Sequence, residues 1–257
     1  KPMDLGSIPV RELTDMESRL MRYQIRLYSG YERSALPQIV GAVREIRTEA
    51  PDNVMGLEIQ AQLENLANMS EEAAQTTEHL LRIDPTNIVG LTERGRALTG
   101  QLSPNSDAAA WSEAREPFQS AIAASATAIA PRVAFFESYL AQGTSPSVEA
   151  QNRMVEAFQL LPQNDEIRYL LARDFEQRGL IEDAIAIIEP AAFGAFDGDA
   201  REKRRRGKAM ERYAERYTNI ENYETPRDML DRLEAKRDGR YDPVTKTFTP
   251  KSSDDSE

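Results

Sequence analysis

Cysteine is absent from the 257-residue sequence, and histidine occurs only once. The lack of cysteine excludes disulfide bonds and thiolate chemistry, and a single histidine makes a zinc site of ordinary composition hard to build. No run of 18 consecutive apolar residues is present, so the sequence predicts no membrane span. The net charge of −11 argues against general binding to nucleic-acid phosphates. Aromatic residues make up only 7 % of the chain, which favours a helical array over a β-sandwich.

Sequence motifs for catalysis are missing as well. There is no glycine-rich phosphate loop and no His-Glu-x-x-His zinc motif. The single histidine, His79, is better explained as a surface residue than as a general base, which would need a partner and a pocket. The acidic pairs Glu71-Glu72 and Glu182-Asp183 stand where helices are expected to begin, and acidic side chains favour the helix dipole there. We therefore predict a non-catalytic protein with no bound metal and no cofactor.

What the chain does contain is a repeated tripeptide. Pro51-Asp52-Asn53 and Pro85-Thr86-Asn87 place the same Pro-x-Asn sequence 34 residues apart. Between them, Ala61 and Ala73 lie in two amphipathic segments that are separated by a turn near Met69. Small residues allow two antiparallel helices to approach closely, and larger side chains would push the helices apart. The spacing therefore predicts a repeating unit of two helices.

An alanine recurs in each expected second helix. Ala73, Ala114, Ala150 and Ala184 are each followed by expected core positions four and seven residues later. This pattern resembles the tetratricopeptide (TPR) repeat, in which helical hairpins stack into a solenoid. The resemblance implies an all-α, right-handed, TPR-like solenoid of about five hairpins with a C-terminal capping helix. The predicted turns of the hairpins lie near Gly30, Met69, Pro104, Gly143 and Gly179.

The expected organisation has three parts. They are a lead-in at residues 1–13, the TPR-like solenoid at 14–217, and a charged short helix with a disordered acidic tail at 218–257. Thr14-Asp-Met-Glu17 reads as a capping box that begins the first helix. A helix over residues 199–217 is the natural candidate for the end cap that a solenoid needs. Residues 244–257 have no apolar periodicity, so we predict that they are disordered.

Several positions depart from the TPR pattern. Glu64 and Thr77 stand where the family prefers bulky side chains, and Ile39 stands where the other hairpins have alanine. In the third hairpin, 19 residues rather than 12 separate Gly95 from Ala114. We assign this insertion of seven residues to the loop of that hairpin.

In TPR proteins the first helices line a concave groove through their second, fifth, ninth and twelfth positions. The resemblance implies that the groove residues here are Met55, Glu58, Gln62, Asn65, Val89, Thr92, Arg96, Thr99, Ala130, Val133, Glu137, Leu140, Glu166, Tyr169, Arg173 and Glu176. The candidate partner-binding residues among them are Arg96, Tyr169, Arg173, Glu58, Gln62 and Glu137. Arginine and tyrosine dominate interface hot spots, so Arg96, Tyr169 and Arg173 are the strongest candidates. Glu58 and Gln62 stand in the wrong places for the lysine and asparagine clamp with which some TPR proteins hold a terminal carboxylate.

The basic segment Arg201–Lys208 is a competing surface. Its simplest explanation is the solvated face of the capping helix. The alternative is a docking patch for an anionic partner. The sequence leaves open whether this segment or the groove binds a partner.

Three stretches resemble a narrower family as well. Trp111–Phe118, Phe136–Pro146 and Ile188–Phe193 are similar to the C-terminal repeat half of bacterial exported peptidases of the gluzincin type. In that family a separate N-terminal half carries the zinc motif, and a segment near the last repeat contains a histidine that residues 193–198 lack. The resemblance implies a periplasmic protein, with the cytoplasm as the alternative. It also agrees with our interpretation that a chain beginning at Lys1 is a piece or a processed form of a longer precursor.

Three functions are compatible with these observations. The first is a non-catalytic scaffold that binds a protein partner or an extended peptide segment in the groove, with no affinity for nucleic acid. The second is the accessory, substrate-positioning half of an exported zinc peptidase whose catalytic half is absent from this chain. The third is a self-associating structural subunit, because incomplete solenoid ends stack. In each case the chain is a possible subunit of a larger assembly.

Overall fold

The structure, a computed structural model, describes residues 14–29, 33–193 and 224–248. Its helices are α1 Asp15–Ser29, α2 Leu36–Arg47, α3 Val54–Leu66, α4 Ser70–Ile83, α5 Ile88–Gly100, α6 Ala108–Ala124, α7 Ile129–Gln142, α8 Val148–Leu160, α9 Asp165–Gln177, α10 Ile181–Ala192 and α11 Pro226–Arg237. A short 3-10 turn, Arg33–Ala35, precedes α2. The strands β1 Tyr241–Asp242 and β2 Thr247–Phe248 form an antiparallel hairpin, which is the only sheet in the part of the chain described. The all-α prediction is confirmed.

Helices α3, α5 and α9 begin at an asparagine of the Pro-x-Asn tripeptide. The side-chain oxygens of Asn53, Asn87 and Asn164 accept hydrogen bonds from the backbone N–H three residues later, at 2.9, 2.8 and 2.9 Å. Each bond satisfies one of the N–H groups that a helix start leaves without an intrahelical partner. At α1 the predicted capping box is present, because Thr14 and Glu17 exchange backbone-to-side-chain bonds of 3.0 and 3.2 Å.

The hairpin turns use residues that tolerate left-handed backbone. Gly143 and Gly179 have φ angles of 79° and 77°, and Asn68 has a φ of 58°. Glycine reaches this region without steric cost, and asparagine is among the residues that tolerate it. The turns predicted near Met69, Pro104, Gly143 and Gly179 are confirmed, whereas Gly30 lies outside the described residues.

The chain divides into two compact units, a first unit up to Ser125 and a second unit from Ala126. In the first unit α3, α4, α5 and α6 pack successively, and α1 and α2 pack on α3. In the second unit α7 to α11 pack successively. Consecutive helices therefore bury their apolar faces against their neighbours in each unit, as in a repeat protein.

The alanine frame predicted from sequence is present in both units. Ala73, Ala114, Ala150 and Ala184 are at most 3 % exposed. The core positions four and seven residues after them are buried, apart from a half-buried Ala191. In the third hairpin the smaller Gly95 replaces alanine on the first helix, because a Cβ there would collide with the Phe118 ring.

Helix α11 belongs to the core of the second unit. We predicted a charged short helix at this place but assigned it to a segment beyond the solenoid. Met229, Leu230, Leu233 and Ala235 are each at most 1 % exposed, and the first three lie in one cluster with side chains of α9 and α10. Seven of the twelve residues of this helix are charged, so its narrow apolar face is difficult to recognise from the sequence.

Two further predictions concern the C-terminal part. The predicted end cap at 199–217 and the basic segment Arg201–Lys208 lie outside the described residues. The prediction of disorder from Val244 onward is wrong for residues 244–248, because they complete the β-hairpin. Asp242 stabilises its turn by accepting a hydrogen bond from the backbone N–H of Val244 at 2.8 Å. No helix among those described combines the length and hydrophobicity that a membrane crossing requires.

Candidate partner-binding surface

A buried carboxylate organises the predicted groove positions of the first unit. Glu93 of α5 is 2 % exposed. Its Oε2 accepts a hydrogen bond from Asn65 Nδ2 of α3 at 2.8 Å, and its backbone carbonyl accepts a second from the same nitrogen at 2.9 Å. Its Oε1 accepts a 2.6 Å bond from Arg96 Nη1, one turn further along α5. Because both carboxylate oxygens are engaged, Glu93 holds Arg96 in one orientation while 28 % of the arginine side chain stays exposed.

Two more candidates, Glu58 and Gln62, lie on the neighbouring helix α3. Glu58 Oε1 accepts a 2.8 Å hydrogen bond from Asn87 Nδ2, so Glu58 links α3 to the start of α5. Gln62 is half-buried and makes no side-chain hydrogen bond within the part of the chain that the structure describes. We call Glu58, Gln62, Asn65, Glu93 and Arg96 the α3–α5 site.

The three candidates of the second unit, Glu137, Tyr169 and Arg173, differ in their exposure to solvent. Tyr169 is 1 % exposed and is packed in the core with α10 and α11, and Glu137 is 7 % exposed. Both are therefore buried rather than on an exposed groove surface. Arg173 is half-buried, and its guanidinium lies 6.0 Å from the centroid of the Tyr169 ring.

Glu176, at the last groove position of α9, is engaged by α11. Lys236 Nζ lies 2.6 Å from Glu176 Oε1, and Arg232 donates to both carboxylate oxygens. Burial would raise the pKa of Glu176, but the hydrogen bonds from Arg232 and Lys236 outweigh burial and lower its pKa. Arg232 also pairs with Glu224, just before α11. Glu176 is therefore part of an internal ion cluster.

Comparisons with known proteins address the fold. No protein-family model matches the chain, and no curated protein matches it. Among solved structures it is similar to a thermophilic TPR protein of Thermus thermophilus, TTC0263, with a TM-score of 0.59, 16 % identity, and coverage of 77 % of this chain and 97 % of that one. A tetratricopeptide repeat protein of Parabacteroides merdae matches with a TM-score of 0.50 and 16 % identity, covering 88 % of this chain and 85 % of that one.

The chain has a TPR-like fold. At this level of identity the likeness concerns the fold and leaves the role of each side chain to the geometry.

Within the TPR frame, Glu64 is the polar residue whose importance the sequence analysis missed. It is fully buried, and its carboxylate accepts hydrogen bonds from Arg44 Nη2 at 2.6 Å, Gln60 Nε2 at 2.7 Å and Thr76 Oγ1 at 2.7 Å. Arg47 donates to the other end of Gln60 and extends the network. The available signal was a charged residue at a place where TPR repeats have a bulky side chain. The network joins α2, α3 and α4, so its role is internal packing.

His79 remains a surface residue in the structure. Its Nε2 lies 2.7 Å from Asp52 Oδ1, in the loop before α3, and Asp52 is largely exposed. Among the described residues no cluster of acidic and histidine side chains could hold a metal ion.

Proposed function

We propose that this chain is a non-catalytic scaffold that binds an extended segment of a protein partner at the α3–α5 site. The observation that carries the proposal is the arginine–carboxylate pair of Arg96 and Glu93. A buried carboxylate fixes a partly exposed arginine side chain at a groove position, and the predicted groove positions of the neighbouring helix α3 include the polar residues Gln62 and Glu58. Arginine held in this way loses little conformational entropy when it binds.

The chemistry of the site favours a polypeptide over a small metabolite. Its half-buried groups lie on two neighbouring helices, and they offer both hydrogen-bond donors and acceptors, as the repeated polar groups of a polypeptide require. Arg96 suits a carboxylate or a backbone carbonyl of the partner, and the Gln62 amide can donate to and accept from a peptide group. Arg173, which is half-buried, is a second contact on its own unit.

The alternative function stays a prediction from the resemblance to exported peptidases, as does the periplasmic location. A His-Glu-x-x-His motif encoded upstream of Lys1 would favour an accessory half of a zinc peptidase. The scaffold proposal does not require that upstream motif.

The experiment is quantitative capture with the intact chain and its variants. Gln62→Arg places a bulky charge in the site without removing a described hydrogen bond, and Arg96→Gln removes the guanidinium. Arg82→Gln, an exposed arginine on α4, is the matched control. We expect a partner that binds the wild type and the control to lose about tenfold in affinity, about 1.4 kcal/mol, with either site variant.

Purified partner titrated against each variant measures that loss, and thermal melting shows whether the variants are folded. Equal affinity of both site variants and the wild type for every captured partner would refute the proposal. The affinity of Arg173→Ala for the same partner tests separately whether Arg173 of the second unit contributes to binding.

A further inference from the structure

Helices α3 and α5 run side by side in the same direction. Asn87, the cap of α5, donates to Glu58 of α3 at 2.8 Å. Further along, Asn65 of α3 donates to Glu93 of α5 at 2.8 Å. Between these two contacts the chain advances by seven residues on α3 and by six on the α5 side. Because an α-helix rises about 1.5 Å per residue, Glu58 lies about 9–10 Å along the helices from the Glu93 end of the α3–α5 site.

The glutamates of these two helices differ in how their charge is balanced. Helices α3 and α5 contain three of them, Glu58, Glu64 and Glu93. Glu64 and Glu93 each pair with an arginine at 2.6 Å. Within the described part of the chain Glu58 forms no ion pair, and its only side-chain hydrogen bond comes from the neutral amide that caps α5. One end of the α3–α5 site therefore has a carboxylate whose charge is not balanced by a described side chain.

The second carboxylate oxygen of Glu58 is accessible. Glu58 is half-buried, and its Oε2 accepts no hydrogen bond within the described residues and is not enclosed. A link between a capping asparagine and a glutamate does not require this exposure. In the preceding hairpin, Asn53 Nδ2 lies 3.5 Å from Glu17 Oε1, and Glu17 is only 4 % exposed. Glu58 can therefore keep its contact with α5 and still accept a hydrogen bond from another molecule.

The other end of the site offers donors rather than net charge. The buried Glu93 balances the charge of Arg96, so that the guanidinium suits a neutral acceptor such as a backbone carbonyl. Gln62 follows Glu58 by one helical turn on the same face of α3, between the two ends. The net charge of the site is therefore negative and is located at Glu58, in a chain whose total charge is −11.

We propose that the α3–α5 site selects a basic segment of the partner, in which a lysine or arginine side chain pairs with Glu58 and a backbone carbonyl about three residues away pairs with Arg96. An extended chain rises about 3.3 Å per residue, so three residues span the distance between the two ends of the site. A half-buried carboxylate that is already oriented by Asn87 favours such a charge-assisted hydrogen bond. The proposal rests on the proposed function and specifies the chemistry of the segment that the site binds.

The test uses the full-length chain and peptides of nine residues. Three pools carry lysine, glutamine or glutamate at the central position and random uncharged residues elsewhere. The peptide that the immobilised wild type retains best from the lysine pool is then made in all three forms and titrated. We expect the lysine form to bind about tenfold more tightly than the glutamine form, and the glutamate form to bind most weakly.

Glu58→Gln is the decisive variant, because it removes the charge but keeps a side-chain oxygen that can accept from Asn87. We expect this variant to bind the lysine and glutamine forms within about twofold of each other. Glu78→Gln removes an equal charge from an exposed position of α4 and should keep the preference for lysine. Thermal melting shows whether both variants are folded.

Substitutions at Gln62 should shift the preference in opposite directions. Gln62→Glu places a second carboxylate one turn from Glu58 and should increase the preference for lysine by about two- to fivefold. Gln62→Arg supplies a partner for Glu58 from within the chain, at the i, i+4 spacing, and should abolish the preference. Gln75→Glu adds the same charge at an exposed position of α4 and should leave the preference near its wild-type value.

A preference for lysine that is as strong in Glu58→Gln as in Glu78→Gln would overturn the proposal, because it would reflect a general attraction to an acidic chain. Equal binding of the lysine and glutamine forms by the wild type, or retention of no pool, would overturn it as well.

Failure of the proposed function gives a different result. That function is refuted when Gln62→Arg and Arg96→Gln keep the wild-type affinity for every captured partner. If instead both variants lose the glutamine form, and the wild type shows no preference for lysine, the α3–α5 site binds a segment without selecting its charge. Only the basic character of the partner would then be refuted.

Discussion

The two units differ in the side chain that packs at one equivalent helix position, which is a carboxylate in a hairpin of the first unit and an aromatic ring in a hairpin of the second. At the eleventh position of the first helix of a hairpin, α3 in the first unit has Glu64 and α9 in the second unit has Phe175. Glu64 is fully buried and is satisfied by Arg44, Gln60 and Thr76, whereas Phe175 packs against two apolar clusters. An apolar contact tolerates small shifts, but a buried carboxylate must keep its partners in place. We therefore expect the helices around Glu64 to tolerate smaller displacements than those around Phe175.

Removing the buried carboxylate should produce the largest effect on stability. Glu64→Leu removes the acceptor of Thr76 Oγ1 and the carboxylate that pairs with Arg44, and it leaves Gln60 Nε2 only its 3.1 Å bond to Thr76 Oγ1. Each unsatisfied buried group costs about 1–3 kcal/mol. We expect the free energy of unfolding to fall by on the order of 3 kcal/mol in urea titrations. Glu78→Leu, at an exposed position of α4, is the control and should change it by less than about 0.5 kcal/mol. Equal losses for the two variants would show that the network does not align the hairpins.

The apolar crossing of the second unit should respond to added volume. Ala184 is fully buried where α9 and α10 cross, so Ala184→Leu should overpack the crossing and cost about 1–3 kcal/mol. Ala124→Leu makes the same change at an exposed position and should cost less. Thermal melting of both variants measures the difference, and equal shifts would contradict the alanine frame.

The ion cluster around Glu176 in the second unit predicts that the stability of the fold depends on pH. The pKa of Glu176 is lowered in the folded chain, since the hydrogen bonds from Arg232 and Lys236 outweigh the effect of burial. A lowered pKa stabilises the fold above the unfolded value, about 4.3, and this stabilisation is lost as the pH falls through the folded value.

We therefore expect Glu176→Gln to destabilise the chain by about 2 kcal/mol at pH 7. The difference from wild type should narrow when urea titrations are repeated below pH 4. A difference that stays constant with pH would show that the charge of Glu176 is unimportant for docking α11.

The smallest effect on stability is expected at the proposed partner site. Gln62 makes no described side-chain hydrogen bond, so Gln62→Arg should change the free energy of unfolding by less than about 0.5 kcal/mol. Arg96→Gln should cost more, because it removes the guanidinium that pairs with the buried Glu93. Urea denaturation of both variants measures this difference. The free energy of unfolding should fall less for Gln62→Arg than for Arg96→Gln, because only Arg96 pairs with a buried carboxylate.

Much of the local structure could be predicted because it depends on neighbouring residues in sequence. The capping asparagines Asn53 and Asn87, the capping box at Thr14 and the turn at Gly179 each act within a few residues. The alanine frame also follows from sequence, because it repeats with the period of the hairpin.

The site was harder to predict because it depends on contacts between distant residues. The position of Tyr169 in the TPR frame indicates a groove residue, but the structure buries it beneath α10 and α11. The order of the residues along α9 contains no information about a helix that begins near residue 226. Likewise, the interaction of Arg96 with Asn65 through Glu93 joins two hairpins and has no local signature.

Asn87 shows how one repeat recognises the next. Its side-chain oxygen caps α5, and its side-chain nitrogen donates to Glu58 of α3, 29 residues earlier. An aspartate at this position would preserve the cap but lose the donor, and it would place a second carboxylate beside Glu58. A repeat moved to another place in the array, or copied into a designed one, would therefore need an acceptor on the hairpin before it. In this chain the boundary between two repeats is itself a recognition site, and it restricts the order in which repeats can be joined.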